Sequence, residues 1–401
     1  MAAGRQTRNL ILCFDGTNNE FGPQNTSVIR FIQVLDQDPE LQLSFYDPGV
    51  GTLPEPGFVT GVGKWFSKVI GLAFGAGLMS KVSDAYGFLM EHWQPGDRVF
   101  LFGFSRGAYT ARVLAALLHM FGLLPAGSQH LVPYLLRLFQ ASRRELRKPA
   151  EKQTAYWALC EEFRKTFARA LPTCDDRRFP IHFAGLFDTV SSVGWVWDPL
   201  RLPFTSRNPG IAHVRHAISI DERRCFFRQN QFSPAPGQDL VELWFAGVHS
   251  DVGGGYPENE GGLWRAPYAW MLSEAKRAWL LTNIERERVV WERSAVPIHP
   301  ALEKQHESLQ GRWWLAEVFP KLVYHSNSHK RWPQIGLGRR RRVPEGARLH
   351  PSACERIRDG VPAYSPSNLP GELVAGIREH QEFEPVVRWR TGRGLESEGS
   401  E

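Results

Sequence analysis

Arg98-Val99-Phe100-Leu101-Phe102-Gly103-Phe104-Ser105-Arg106-Gly107-Ala108-Tyr109-Thr110-Ala111-Arg112 decides how this chain is read. An apolar, strand-like run ends in Gly-Phe-Ser-Arg-Gly and passes straight into a helix-like run over 111–121. A serine between two glycines, on a sharp turn from strand to helix, is the arrangement that presents a hydroxyl as a nucleophile. That hydroxyl is a poor nucleophile until a base takes its proton, so it must project where a histidine can reach it. The tight turn strains the backbone at Ser105, and Gly103 and Gly107 lack the Cβ atoms that would clash there. The following helix aims its first amides, beginning with that of Arg106, at the place where an oxyanion develops.

Outward from this turn, the spacing of apolar residues predicts strands over 9–15, 41–46, 98–104, 181–187 and 240–246. It predicts helices over 26–35, 79–93, 111–121, 150–170 and 268–282. Strands alternating with helices give an α/β class: an α/β-hydrolase-like, mostly parallel central sheet with helices on both faces. The expected organisation is a flexible N-terminus over 1–8 and one hydrolase domain over 9–370. Cap or peripheral insertions fall around 122–180 and 283–350, and a C-terminal extension over 371–401 frays at its end. Functional groups gather at the carboxyl ends of parallel strands. Here Asp15, Ser105, Asp188 and His249 each end or follow a strand, so four separate segments converge on one rim.

Ser105 needs a base, and the chain has 13 histidines. His249 follows an apolar strand and precedes Gly253-Gly254-Gly255, a run that lets a ligand approach. His182 lies within a strand, where a structural role fits better. His213 and His216 fall near a helix expected after Pro209-Gly210. His249 also completes the hydrolase order Ser, Asp, His. Asp188, between the two in sequence, is the carboxylate chosen to orient the base. Asp221 is the reserve, and the adjacent Arg223 and Arg224 suit it to an ion pair. A second oxyanion donor is expected from the amide of Gly16 or Thr17. Asp15 would orient that loop or cap its turn. Asp251 is placed in support of the site; in a rival Ser-Asp dyad it would be the base.

The chain has 401 residues, 42% of them hydrophobic and 22% charged, which suits a large globular core. The net charge of +6 comes partly from Arg339-Arg340-Arg341-Arg342 and from Arg143, Arg144, Arg147 and Lys148. Such runs read as solvated surface loops. With no zinc-finger spacing or RNA-binding signature beside them, nucleic acid is excluded as a partner. Five cysteines without a C-x-x-C suggest neither a disulfide framework nor a zinc site, and the chemistry calls for no metal and no cofactor. Cys13-Phe14-Asp15-Gly16-Thr17 is near the D-x-D-G-T of haloacid-dehalogenase-type phosphatases, but cysteine stands where their nucleophilic aspartate would be. No secretory signal and no span of about 20 apolar residues is present, so the protein is expected in the cytoplasm as synthesised. The glycine-rich segment 58–80 reads as a buried helix, with a mobile lid as the alternative.

Several motifs in one order carry a family likeness. They are Leu12-Cys13-Phe14-Asp15-Gly16-Thr17-Asn18-Asn19, Tyr46-Asp47-Pro48-Gly49-Val50-Gly51-Thr52, the Ser105 turn, Gly185-Leu186-Phe187-Asp188-Thr189-Val190, and Phe245-Ala246-Gly247-Val248-His249-Ser250-Asp251-Val252-Gly253-Gly254-Gly255-Tyr256. Together they resemble the DUF2235 family of α/β-hydrolases. That group includes the catalytic domain of Tle1-type phospholipase effectors of the bacterial type VI secretion system. The resemblance runs from about residue 9 to 370. It implies a Ser105, Asp188, His249 esterase acting on phospholipid acyl esters, transient contact with a membrane surface, and, for an effector, a secretion-spike partner, an immunity protein and export through type VI secretion. No stretch reads as a separate module for spike or membrane attachment. A general esterase kept in the cytoplasm, and an inactive binding protein on the same fold, are the alternatives.

Overall fold

The computed structural model describes residues 6–16, 22, 24–49, 74–171, 176–190, 194–195, 198–199, 202–292, 302–311, 313–318, 321–325, 330–359 and 364–379. In chain order the elements are β1 (Asn9–Phe14), α1 (Ser27–Val34), β2 (Gln42–Asp47), α2 (Phe74–His92), β3 (Arg98–Phe104), α3 (Arg106–Phe121), α4 (Val132–Glu145), α5 (Ala150–Phe167), β4 (Ile181–Phe187), β5 (Ile211–Ser219), β6 (Asp239–Phe245), α6 (His249–Gly253), α7 (Arg265–Arg277), α8 (Ile284–Glu292), α9 (Trp313–Glu317), the hairpin β7 (Lys321–His325) and β8 (Lys330–Gln334), α10 (Pro351–Arg358) and α11 (Gly371–Glu379).

Strands β1 to β6 form one sheet in the order β2-β1-β3-β4-β5-β6, and every pairing in it is parallel. Such a sheet must be covered on both faces, and β1 shows how. Its alternate residues Leu10, Leu12 and Phe14 enter one core with α2, α3, α4 and α5. Ile11 and Cys13 enter the other, with α1, α7 and α8. The α/β reading therefore holds. A third cluster joins Ile218, Ile220, Trp244 and Ala246 to Val343, Ala353, Cys354 and Ile357. Beside it the Trp244 N–H donates to the Arg348 carbonyl at 2.9 Å and the His350 N–H donates to the Trp244 carbonyl at 2.9 Å. The C-terminal segment is thereby fastened to the β6 edge.

One strand departs from expectation. Residues 211–219, read as lying near a helix, form the inner strand β5. His213, Arg215 and His216 disguise it. Their partners come from other elements: Asp239 for His213 at 3.1 Å, Asp239 and Glu274 for Arg215, and Glu242 for His216 at 2.8 Å. The glycine-rich segment 58–80 lies mostly outside the described residues. Its last part belongs to α2, where Leu78 and Met79 are buried, and no helix among the described residues is long and apolar enough to cross a membrane.

The register sets the rim. Phe104 pairs with Phe187, Phe187 with Ala217, and Ser219 with Phe245. The chain leaves the sheet at Ser105, at Asp188 and after β6 on one edge. The crossover reverses between β1 and β3, the switch point where open parallel sheets place their sites.

Candidate active site

The turn at Ser105 has the strain its sequence implies. Ser105 caps α3 with φ 59° and ψ −121°, a conformation that costs on the order of 1–3 kcal/mol for a residue with a Cβ. Two close approaches enforce the glycines. A Cβ at Gly103 would lie 2.6 Å from the Ala108 Cα, and one at Gly107 would lie 2.2 Å from the Phe14 carbonyl oxygen. The Ser105 N–H is anchored on the Phe187 carbonyl at 3.0 Å, tying the turn to the strand end that carries Asp188.

Asp188 also has positive φ, 41°, and its N–H donates to the Ala217 carbonyl at 2.7 Å. His249 opens α6 after a turn at Gly247, where φ is 107°. These three side chains, the first and last 144 positions apart in sequence, meet in a line. His249 Nε2 lies 2.7 Å from Ser105 Oγ, and His249 Nδ1 lies 2.5 Å from Asp188 Oδ2. With Nδ1–H donating to Asp188, Nε2 is left to accept from the serine hydroxyl. All three are buried, Asp188 completely. The rings of Phe104 and Phe227 flank the imidazole, with centroids 4.6 and 4.8 Å away. Burial pushes the His249 imidazole below the ordinary histidine value, outweighing the Asp188 carboxylate that favours its charged form. Burial alone would raise Asp188, but the Arg341 charge and the bonds from His249 and Arg341 hold its carboxyl well below the usual range.

The three other candidate histidines are spent elsewhere. His182 Nε2 pairs with the Ala278 carbonyl at 2.9 Å, and His213 with Asp239. His216 donates through Nδ1 to Glu242, and its Nε2 accepts the Thr189 N–H at 3.2 Å, steadying the turn just past Asp188.

The supporting calls fare unevenly. Asp15 Oδ2 accepts from the Thr26 hydroxyl at 2.8 Å and from the Tyr46 hydroxyl at 3.2 Å, so it fixes the loop after β1. Its Oδ1 accepts the Gly16 N–H at 2.7 Å. The Gly16 amide, one of the two expected oxyanion donors, is thus held by its neighbour Asp15. Thr17 lies outside the described residues. Arg106, the first residue of α3, keeps its amide at the positive end of a 16-residue helix. Asp251 accepts the Val248 N–H at 2.9 Å and pairs with His306 Nδ1 at 2.7 Å. It braces the turn that carries His249. Asp221 braces the same turn, accepting the Gly247 N–H at 2.8 Å, and is tied to Arg340 at 2.9 Å and to the Tyr364 hydroxyl at 2.8 Å.

Two residues of the site escaped the sequence. Arg341, read as part of a solvated run, is buried and forked onto Asp188: Nη1 to Oδ1 at 2.5 Å and Nη2 to Oδ2 at 2.9 Å. Glu222 accepts the His249 N–H at 3.2 Å, the Arg224 guanidinium at 2.9 Å and the Ser308 hydroxyl at 2.8 Å. Burial would raise Glu222, but the Arg224 charge and bond lower it to about 2. The alternation of exposed Arg340, buried Arg341, exposed Arg342 and buried Val343 is a strand-like signal hidden by four identical residues. For Glu222 there was no local signal beyond its neighbour Arg224.

The family model for the type VI secretion phospholipase effector Tle1-like catalytic domain matches residues 8–274. The chain belongs to this family. The match contains Ser105, Asp188 and His249, and it ends before His306, Ser308, Arg340 and Arg341. Among curated proteins, uncharacterized protein YEL023C of Saccharomyces cerevisiae is 39% identical over 238 residues, covering 57% of this chain and 33% of the yeast protein. The match thus spans a third of that relative's length. Two solved structures are similar at 18% identity: an uncharacterized protein from Pseudomonas aeruginosa (TM-score 0.41, 69% of this chain and 47% of that one) and a Tle1 effector bound to the VgrG spike (TM-score 0.34, 62% and 51%).

Proposed function

We propose that the chain is a serine esterase that hydrolyses carboxylic ester bonds of phospholipids, a phospholipase A-type reaction passing through an acyl-enzyme. The observation that carries this is the continuous hydrogen-bonded line Ser105, His249, Asp188 at the strand ends, within a phospholipase effector family. His249 Nε2 takes the Ser105 proton as Oγ attacks the ester carbonyl carbon. The developing oxyanion faces the amide end of α3 at Arg106. The tetrahedral intermediate collapses, the bond to the alcohol oxygen breaks, and His249 gives its proton to that oxygen. Water, deprotonated by His249, then attacks the acyl carbon and releases the fatty acid and Ser105. Asp188 keeps the imidazole in the Nδ1–H tautomer and stabilises the imidazolium.

The effector family supports export through type VI secretion as the setting, and a secretion spike and an immunity protein are the partners proposed for it. A general esterase kept in the cytoplasm, with the same chemistry, is the alternative setting. A fluorophosphonate probe and defined phospholipids test the reaction itself. We expect the probe to label Ser105 and Ser105→Ala to lose at least about a thousandfold in kcat on phospholipid and short-chain ester alike. Full turnover in that variant, with folding intact, rules the reading out.

A further inference from the structure

We propose that Arg341 is a positioning residue for the reaction: its guanidinium clamps the Asp188 carboxylate and shares its charge with His249, so that a segment outside the matched catalytic domain completes the site. The proposal rests on the esterase reading only for its consequence in turnover; the electrostatic part stands on the geometry alone.

The clamp is built rather than incidental. Both terminal nitrogens of Arg341 reach the carboxylate, one to each oxygen. The remaining donors are used as well, with Nε on the Phe227 carbonyl at 2.9 Å and Nη1 on the Ser219 hydroxyl at 2.8 Å. The Ser219 N–H adds a bond to Asp188 Oδ1 at 2.9 Å. Asp188 Oδ2 therefore serves two cationic partners at once, Arg341 and, when it is protonated, His249. A fork of this kind fixes the carboxylate plane as a single ammonium cannot. The clamp also touches the wall of the site, because Phe227, whose carbonyl it holds, packs its ring on His249.

The electrostatic consequence follows from what faces the imidazole. Asp188 approaches from the end of β4 and Ser105 from the β3 turn. Glu222 and Arg224 come from the loop after β5, and Arg341 stands behind Asp188. On the far side of the His249 turn, Asp251 is paired with His306, and Asp221 with Arg340 and Tyr364. An aspartate held by neutral donors would present its whole charge to the imidazole. Here a cation 2.5 Å from Oδ1 offsets part of it. Less of the field is left to favour imidazolium, so His249 remains the neutral base at lower pH. The carboxylate in turn stays ionised, and Nδ1 keeps its acceptor across the working range.

The deciding measurement is the titration of the His249 imidazole by NMR in histidine-labelled protein, which does not depend on activity. Removing the cation in Arg341→Met is expected to move the His249 midpoint upward by about one unit. The acid limb of kcat/KM on a soluble short-chain ester should move upward with it, because a base that holds its proton longer is idle to higher pH. We expect kcat to fall at least about tenfold, with KM changed less than threefold. Arg341→Lys is the second arm and covers poor folding of the methionine variant. It keeps a charge without the fork, so the His249 midpoint should stay within about 0.3 units of wild type while kcat still falls. A His249 midpoint unmoved in folded Arg341→Met, or a wild-type kcat in Arg341→Lys, overturns the proposal. Ser105→Ala, measured alongside, shows separately whether the esterase reading itself has failed.

Discussion

Two aspartates stand at the ends of neighbouring strands, and each is held by one member of the same arginine run. Asp188 follows β4 and takes Arg341; Asp221 follows β5 and takes Arg340. Both are buried, yet their carboxyls are driven in opposite directions. At Asp188 the charge and bonds of Arg341 and His249 overcome burial and lower it. At Asp221 burial prevails and raises it, helped by the nearby charge of Asp251 and only partly opposed by the Gly247 amide, the Tyr364 hydroxyl and Arg340. The contrast teaches that burial and an arginine neighbour do not define a role. A doubly bonded, fully enclosed cation does something a single, half-open one does not. Asp188 spends its second oxygen on His249, whereas Asp221 spends its oxygens on Gly247, Tyr364 and Arg340, and so shapes the loop that delivers His249.

The widest separation should appear in turnover. Asp188→Asn removes the acceptor that fixes the imidazole tautomer, and kcat on a short-chain ester should fall by about 10³–10⁴-fold. Asp221→Asn, the same change one strand away, should cost less than about tenfold. Equal losses in the two folded variants would collapse the distinction and return Asp221 to contention as the orienting carboxylate.

Acid stability should separate them next, and the signs differ. Asp188 has its folded value below the unfolded one, near 3.9, so its stabilisation is complete above that value. It is lost as the pH falls towards the folded one. Asp221 has its folded value raised, so its ionisation opposes folding, and stability from this group falls as pH rises through that interval. Urea midpoints measured from pH 3 to pH 7 should therefore flatten in Asp188→Asn and steepen in Asp221→Asn. Parallel curves in the two variants would show that the opposed environments are not felt in solution.

The same contrast explains what could and could not be read from the sequence. The Ser105 turn is local: strand, two glycines forced by approaches of 2.6 and 2.2 Å, and helix all lie within about two dozen residues, so the pattern and its cause coincide. Asp188 and His249 were legible because each ends an apolar run at the same rim. β5 was not, because His213, Arg215 and His216 break its apolar pattern and their compensating carboxylates arrive from β6 and α7. Arg341 was hidden for a related reason. A run of four arginines looks solvated unless one knows that Asp188, 153 residues earlier, waits for one of them. The bond from the Gly16 amide to its own neighbour Asp15 was equally unforeseen, because an Asp-Gly pair does not say where its amide points.

The smallest expected effect tests the arginines rather than the aspartates. Arg340 makes one bond to Asp221, at 2.9 Å, and its side chain is 34% exposed, where Arg341 is enclosed and makes bonds to both oxygens of Asp188. Solvent screens the first pair and a half-open arginine has water to replace its partner, so Arg340→Met should cost no more than about 1 kcal/mol of stability. Asp221 keeps the Gly247 amide and the Tyr364 hydroxyl, so the His249 turn stays in place and kcat should remain within about threefold of wild type. Thermal melting and turnover of Arg340→Met beside Arg341→Met provide the check. If losing Arg340 harms turnover as much as losing Arg341, the arginine run acts on the site as a block of charge, and the distinction between a clamp and a surface pair fails.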